Sequence, residues 1–157
     1  MPLYLTDASI WIGARNRPGT YLPRALAERL RRDEIAVCVP TALEVLTGPQ
    51  TGAEVDAQWD ALWARLRWLP IRNDELERAL DLLRSLAHTT AGAHRRRPID
   101  YLVAACAAAA RAAGDDIVLW HWDADLTVIC DHAGIPYEAE HERAKEHGIN
   151  RAPGQPS

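Results

Sequence analysis

Short apolar runs alternate along this chain with longer stretches in which apolar residues recur every three or four positions, and that alternation predicts strands followed by helices. Leu3 to Thr6 is the first such run; it ends in Asp7, and Ser9 opens an apolar turn that continues as a short helix to Ala14. A helix over 21–32 follows the loop at Asn16 to Gly19. A strand over 35–39 comes next, then a helix that Pro40 and Thr41 start and that Gly48 and Pro49 stop. Thr51 and Glu54 have capping-box spacing, and Val55, Trp59, Leu62, Trp63 and Leu66 behind them form one helical apolar stripe. Trp68 to Ile71 reads as an edge strand, because Pro70 has no N–H to give to a ladder.

The next helix, capped by Asn73 or Asp74, is expected to bury Leu76, Leu80, Leu83 and Ala87. After the loop from Thr89 to Gly92 comes the triplet Arg95, Arg96 and Arg97, and Pro98 then starts an alanine-rich helix through Ile99, Leu102, Val103, Cys106 and Ala110. Ile117 to Trp120 is apolar without alternation, as in a strand buried on both faces of a parallel sheet. Leu126, Ile129, Cys130 and Ala133 mark a helix that Gly134 ends, and Ile135 to Tyr137 is a last short strand. From Glu138 the chain turns polar. The pattern as a whole predicts an α/β domain over 1–137, three-layered α/β/α around a central, mostly parallel sheet, and a partly helical tail over 138–157 that frays.

Composition narrows the class. A chain of 157 residues with 48% hydrophobic content is one domain with a sizeable core. No window approaches the ~20 apolar residues of a membrane span, and the amino terminus carries no basic leader, so a cytoplasmic protein is expected. Cys38, Cys106 and Cys130 are widely spaced in apolar segments, which suits small buried side chains better than bridges or zinc ligands. The net charge is -4, yet Lys145 is the only lysine and the other cations are arginines, whose planar forks match phosphate. They cluster at Arg24, Arg29, Arg31 and Arg32 and again at Arg95, Arg96 and Arg97; each cluster is either a solvated face or an anion-binding surface.

Four acids share one kind of position. Asp7 ends a strand, Glu44 opens a helix after a strand, Asp100 lies in a helix's first turn, and Asp123 ends a strand. Each has a local reading: Asp7 and Asp123 can cap the helices behind them, Thr41 and Glu44 have capping-box spacing, and Asp100 complements a helix dipole. Helices after parallel strands all begin at one edge of the sheet, however. Four carboxylates gathered there repel one another unless a cation joins them. Magnesium, or manganese in its place, suits an all-oxygen site, and a hydrated ion of this kind activates water and neutralises a scissile phosphate. The six histidines show no zinc-protease spacing, and His121 reads as a packing or rim residue.

Four blocks carry these acids: Leu-Thr-Asp7-Ala-Ser9-Ile-Trp-Ile, Pro-Thr-Ala-Leu-Glu44-Val-Leu, Arg-Pro-Ile-Asp100-Tyr-Leu-Val-Ala-Ala-Cys and Leu-Trp-His-Trp-Asp123-Ala-Asp125-Leu. Taken in order they resemble the acidic blocks of PIN-domain ribonucleases, and most of all those of VapC-type toxins from toxin-antitoxin pairs. The resemblance runs from Leu3 to about Tyr137. It implies a magnesium-dependent site of Asp7, Glu44, Asp100 and Asp123, with Ser9 supporting Asp7 by hydrogen bonding. It also implies a homodimer, an RNA substrate and a VapB-type antitoxin that covers the site. One departure is Leu126, where the family usually has an aromatic residue, and it leaves Asp123 and Asp125 as alternatives for the carboxylate that faces the metal.

In the mechanism this resemblance implies, Asp7 and Asp100 are the principal metal ligands, Asp123 completes the cluster, and Glu44 orients or deprotonates the attacking water. In-line attack leaves a 5′-phosphate and a 3′-hydroxyl on structured RNA, transfer or ribosomal. The arginine triplet is expected to contact substrate phosphates. Two other magnesium folds fit less well: a phosphoacceptor receiver needs a lysine at the sheet edge, and a haloacid-dehalogenase-like phosphatase needs an aspartate where this chain has Ser9. The alternative within the same fold is a PIN-like RNA-binding module, or an RNA-processing nuclease that is not a toxin.

Overall fold

The structure, a computed structural model, describes residues 1–48, 51–92 and 96–146. β1 (Leu3–Thr6) leads into α1 (Ala8–Asn16) and α2 (Leu22–Arg31), and β2 (Ile35–Cys38) into α3 (Val39–Leu46), α4 (Gly52–Ala61) and a 3-10 turn (Trp63–Arg65). β3 (Arg67–Leu69) is followed by α5 (Asn73–Ala87) and α6 (Pro98–Ala112), β4 (Ile117–His121) by α7 (Ala124–Ala133), and β5 (Tyr137–Ala139) by α8 (Glu140–Glu146). The strands form one sheet in the order β3-β2-β1-β4-β5, and every pairing is parallel. β3 is an edge strand, as its proline neighbour predicts. The order runs outward from β1 in both directions, so the switch point lies between β1 and β4, where an open sheet leaves a crevice at the carboxyl ends of its strands.

Alternate side chains of each strand enter opposite layers. Leu3 and Leu5, Ala36 and Cys38, and Ile117 and Leu119 pack beneath α5, α6 and α7, whereas Ile35, Val37 and Trp120 pack beneath α1, α2, α3 and the 3-10 turn. This is the three-layer arrangement expected from the pattern. The alanines of α6 do much to shape it: Ala104, Ala105 and Ala107 are buried and bring the helix backbone close to the sheet. All three cysteines are free and buried, in keeping with their apolar settings.

Several expectations are corrected. α5 turns Ala79 and Leu86 inward with the carboxylate of Glu75, while Leu76, Leu80 and Leu83 are exposed at 47%, 56% and 36%, and Ala87 is exposed as well. Two apolar stripes one residue apart run along this helix, and the one with the small residue at its centre fits the alanine surface of α6. The stripe from Val55 to Leu66 is not one helix either. α4 ends at Ala61, and the 3-10 turn swings Trp63 under the sheet, where it meets Trp11 at 4.9 Å and Trp68 at 6.2 Å between ring centroids. α4 itself buries no residue, and Trp59 covers Trp68 from outside. β3 and β5 each lie about two residues from where periodicity puts them, because both are short edge strands fixed by their neighbours' registers.

The folded unit also continues past Tyr137. Arg29 of α2 lies between the rings of Tyr4 and Trp120, 3.7 and 4.0 Å from their centroids, and pairs with Glu138 at 2.7 Å. The Trp120 indole donates to Glu140, whose side chain is buried, and Arg143 closes the network on Glu138 and Glu140. Arg29 is therefore an internal clamp, one member of an arginine cluster that sequence alone left undecided. The remainder of the predicted tail, from position 147, lies outside the described residues. Among the described residues no helix is long and apolar enough to cross a membrane.

Candidate active site

Asp7 sits one residue beyond β1, and the surrounding hydrogen bonds fix it there. The Thr41 hydroxyl donates to the Thr6 carbonyl at 2.8 Å, the Thr6 hydroxyl donates to Ala36 and accepts from the Trp11 indole, and the Asp7 amide donates to the Trp120 carbonyl at 3.0 Å. With its hydroxyl engaged this way, Thr41 does not form the capping box that its spacing to Glu44 allows. Asp7 serves its helix with one oxygen: Oδ2 accepts the Ser9 amide at 3.0 Å and caps α1. Its Oδ1 is buried and has no hydrogen-bond partner. The capping role and a free carboxylate oxygen thus belong to the same side chain.

Ser9 supports Asp7 and a second loop at once. Its backbone amide, not its hydroxyl, bonds Asp7, and the hydroxyl accepts the Trp122 amide at 2.9 Å, tying α1 to the loop that carries Asp123. Asp123 caps α7 by accepting the Asp125 amide on Oδ1 at 2.8 Å, which leaves Oδ2 turned toward Arg97 at 3.6 Å. Asp125 is half exposed and lies near Arg96 at 3.7 Å, so of the two aspartates it is Asp123 that shares surroundings with the other acids.

Arg97 joins the set. As N-cap of α6 it precedes Pro98, and its guanidinium reaches Glu44 Oε1 at 2.5 Å, Asp100 Oδ1 at 3.0 Å and, more distantly, Asp123. α3, α6 and the β4–α7 loop therefore present carboxylates to one cation at the switch point. Burial pushes Asp100 up to about 6; the charges of Asp123 and Asp7 add to this and Arg97 opposes it. Glu44 is also raised, first by burial and then by Asp7 and Asp123, against the pull of Arg97. Asp7 Oδ1, Glu44 Oε2 and Asp100 Oδ2 are all buried without partners. Three unsatisfied carboxylate oxygens, on acids whose charges resist one another, fit a hard cation with oxygen ligands.

Comparison with known proteins supplies the family. The sequence model of the PIN domain matches residues 4–130. The chain belongs to the PIN-domain family. It is also 31% identical over 136 residues to Ribonuclease VapC18 of Mycobacterium tuberculosis (strain ATCC 25618 / H37Rv), a match that covers 87% of this chain and 93% of that protein. The resemblance to VapC-type PIN proteins read from the four blocks is thereby supported over nearly the whole chain.

The other expected residues of this PIN domain fall in distinct places. Arg96 is only 10% exposed and donates to the carbonyls of Ala91 and Gly92, so it clasps its own loop and does not project as a solvated phosphate ligand. Arg95 lies outside the described residues. His121 is a packing residue: it is buried against Tyr137 and His141, and desolvation lowers it to about 4. The Asp123 amide donates to its Nδ1, so the neutral ring carries its proton on Nε2.

A cleft of about 330 Å³ opens beside the acids, bounded by Ser9, Ile12, Asn16, Arg17, Glu44, Arg97, Trp122 and Asp123. Arg17 lies over the Trp122 indole at 4.7 Å, and sequence reasoning missed this pair. The signal was present for Trp122, which stands between a strand end and Asp123. Nothing in the pattern places Arg17, at the far end of α1, across from it.

Proposed function

We propose that this chain is a metal-dependent endoribonuclease and the toxin of a toxin-antitoxin pair. The observation that carries the reading is the set of three buried, unpartnered carboxylate oxygens on Asp7, Glu44 and Asp100, of which the last two are gathered with Asp123 around Arg97 at the switch point of a PIN-domain sheet. Asp7 and Asp100 would be the principal ligands of Mg2+, with Mn2+ as a substitute, and Asp123 would complete the set. The ion, when bound, supplies water activation and charge neutralisation at the scissile phosphate.

The remaining steps belong to the chain's own residues. Glu44 faces the cleft with a pKa above the ordinary carboxylate range, which makes it a better proton acceptor for an attacking water than an unperturbed glutamate. Ser9 holds the Asp123 loop against α1 and so fixes the distance between two of the acids. The Arg17–Trp122 wall gives the cleft one cationic and aromatic side, suited to a single-stranded segment of transfer or ribosomal RNA.

Exposed apolar residues support the partner assignments. Val39 and Leu43 stand on the outer side of α3 beside Glu44, where an antitoxin segment would bury them and cover the site, and the Leu76, Leu80 and Leu83 stripe of α5 would serve a homodimer. A cytoplasmic location accords with an intracellular RNA target. The test is cleavage of a folded RNA by the purified chain with and without EDTA. Cleavage that chelation abolishes, that Mg2+ or Mn2+ restores and that Asp100→Asn lacks is expected; undiminished cleavage in EDTA overturns the reading.

A further inference from the structure

We infer that Arg97 is an internal counter-cation that occupies, between Glu44, Asp100 and Asp123, the place a divalent ion needs, and that it leaves for the substrate phosphate when the ion enters. The inference rests on the proposed metal-dependent reading and adds a positioning residue to it.

The guanidinium of Arg97 bridges acids from three separate elements, at 2.5 Å to Glu44, 3.0 Å to Asp100 and 3.6 Å to Asp123. Among the described residues no three acids stand close enough together to hold an ion in this arrangement. They are arrayed around the guanidinium instead. The buried oxygens of Asp7, Glu44 and Asp100 without partners show that one monovalent fork does not satisfy the cluster. The free oxygens of Glu44 and Asp100 belong to the same carboxylates that Arg97 holds by their other oxygens, so a divalent ion at ~2.0 to 2.1 Å from them would stand close to the guanidinium and the two cations would repel each other. Binding of one therefore favours departure of the other.

Arg97 is built to move where its neighbour is not. Arg96 is tied to two carbonyls and is 10% exposed, whereas Arg97 is 50% exposed and, among the described residues, its guanidinium donates to carboxylates. Its backbone is fixed, extended before Pro98 and with its carbonyl accepting the Asp100 amide, so the side chain swings from a rigid base. It already borders the cleft beside Glu44, so an outward swing delivers its charge to the RNA backbone without any change of fold. In the metal-free state the same arginine relieves part of the repulsion among the acids.

Manganese titration by calorimetry on the full-length chain tests this, comparing wild type with Arg97→Gln, Arg97→Lys and Asp100→Asn. Removal of the competing cation is expected to tighten Mn2+ binding in Arg97→Gln by at least about fivefold, equivalent to ~1 kcal/mol. Cleavage at saturating Mn2+ should fall in the same variant, because the phosphate contact is gone. Arg97→Lys, whose compact ammonium cannot bridge three acids, should bind with an intermediate constant and guards against a folding defect in the glutamine variant. Equal or weaker Mn2+ binding by both Arg97 variants overturns the inference. If wild type binds Mn2+ and Asp100→Asn does not, such a result leaves the metal-centre reading standing. Failure of every form to bind overturns the metal centre itself.

Discussion

Asp100→Asn in the metal-free protein should raise stability while removing activity. Asp100 is 1% exposed, and its carboxyl is pushed from 3.8 to about 6, so in the folded chain the ionised form is disfavoured. The sign follows from linkage: the folded state holds this proton more tightly than the unfolded state, so stability is highest when both are protonated and falls as pH rises from about 4 through about 6. The 2.2 units between 3.8 and about 6 amount to about 3 kcal/mol of destabilisation at neutral pH. Asparagine is a neutral isostere that escapes this penalty. Its carbonyl can still accept from Arg97, and its amide can donate toward the other acids. The value of about 6 already includes the opposing pull of Arg97, so loss of that ion pair takes nothing further away and the net gain is up to about 3 kcal/mol. For a chain of this size that is a rise in Tm of roughly 6–12 °C. Thermal unfolding in EDTA at pH 7.5 measures it, and the charge-relief component should shrink to about half by pH 5 and to about a fifth at pH 4. A variant that melts at or below the wild-type temperature at neutral pH, or whose advantage does not change with pH, refutes the reasoning.

Asp7→Asn retains a capping oxygen for the Ser9 amide but loses the charge on Oδ1, so cleavage should vanish while the circular dichroism spectrum stays native; an active variant would return Asp7 to a purely structural role. Trp63→Ala removes a buried indole packed on Trp11 and Trp68 and should cost about 3–5 kcal/mol in denaturant unfolding, whereas a loss under about 1 kcal/mol would contradict its place beneath the sheet. Leu80→Glu on the outer stripe of α5 should leave the stability of the isolated protomer within about 0.5 kcal/mol and yet weaken self-association by sedimentation. A large loss of protomer stability would mean that the stripe is core after all.

Three of the acids could be read from sequence because each stands where a strand end or a helix start must fall, whereas Glu44 does not open its helix but lies in the last turn of α3, which begins at Val39. Strand periodicity puts Asp7 and Asp123 at carboxyl ends, Pro98 fixes the turn that holds Asp100, and parallel pairing brings all of them to one edge. What the pattern could not supply are choices between neighbours. α5 has apolar stripes at 76, 80 and 83 and at 79, 82 and 86, a rotation of one residue apart, and only the alanine surface of α6 decides which is buried. Arg29 and Arg97 look like any other member of a charged run, yet one is held between two rings and the other among three carboxylates. A charge run carries no information about long-range partners. The hydrogen bond that the Ser9 hydroxyl accepts from the Trp122 amide is illegible for a related reason: its partner is distant in the chain and carries no residue-type signature.

Analysis of the ends left on the RNA tests the central claim most directly, because it separates attack by water from attack by the ribose hydroxyl. Attack by water with cleavage of the P–O3′ bond, the outcome that the family resemblance implies, would leave a 5′-phosphate and a 3′-hydroxyl, and the cut strand should be a substrate for ligation at its 5′ end without prior phosphorylation. The account predicts those ends with Mg2+ or Mn2+ present and no fragments in EDTA. Fragments bearing 2′,3′-cyclic phosphate and a 5′-hydroxyl would contradict it.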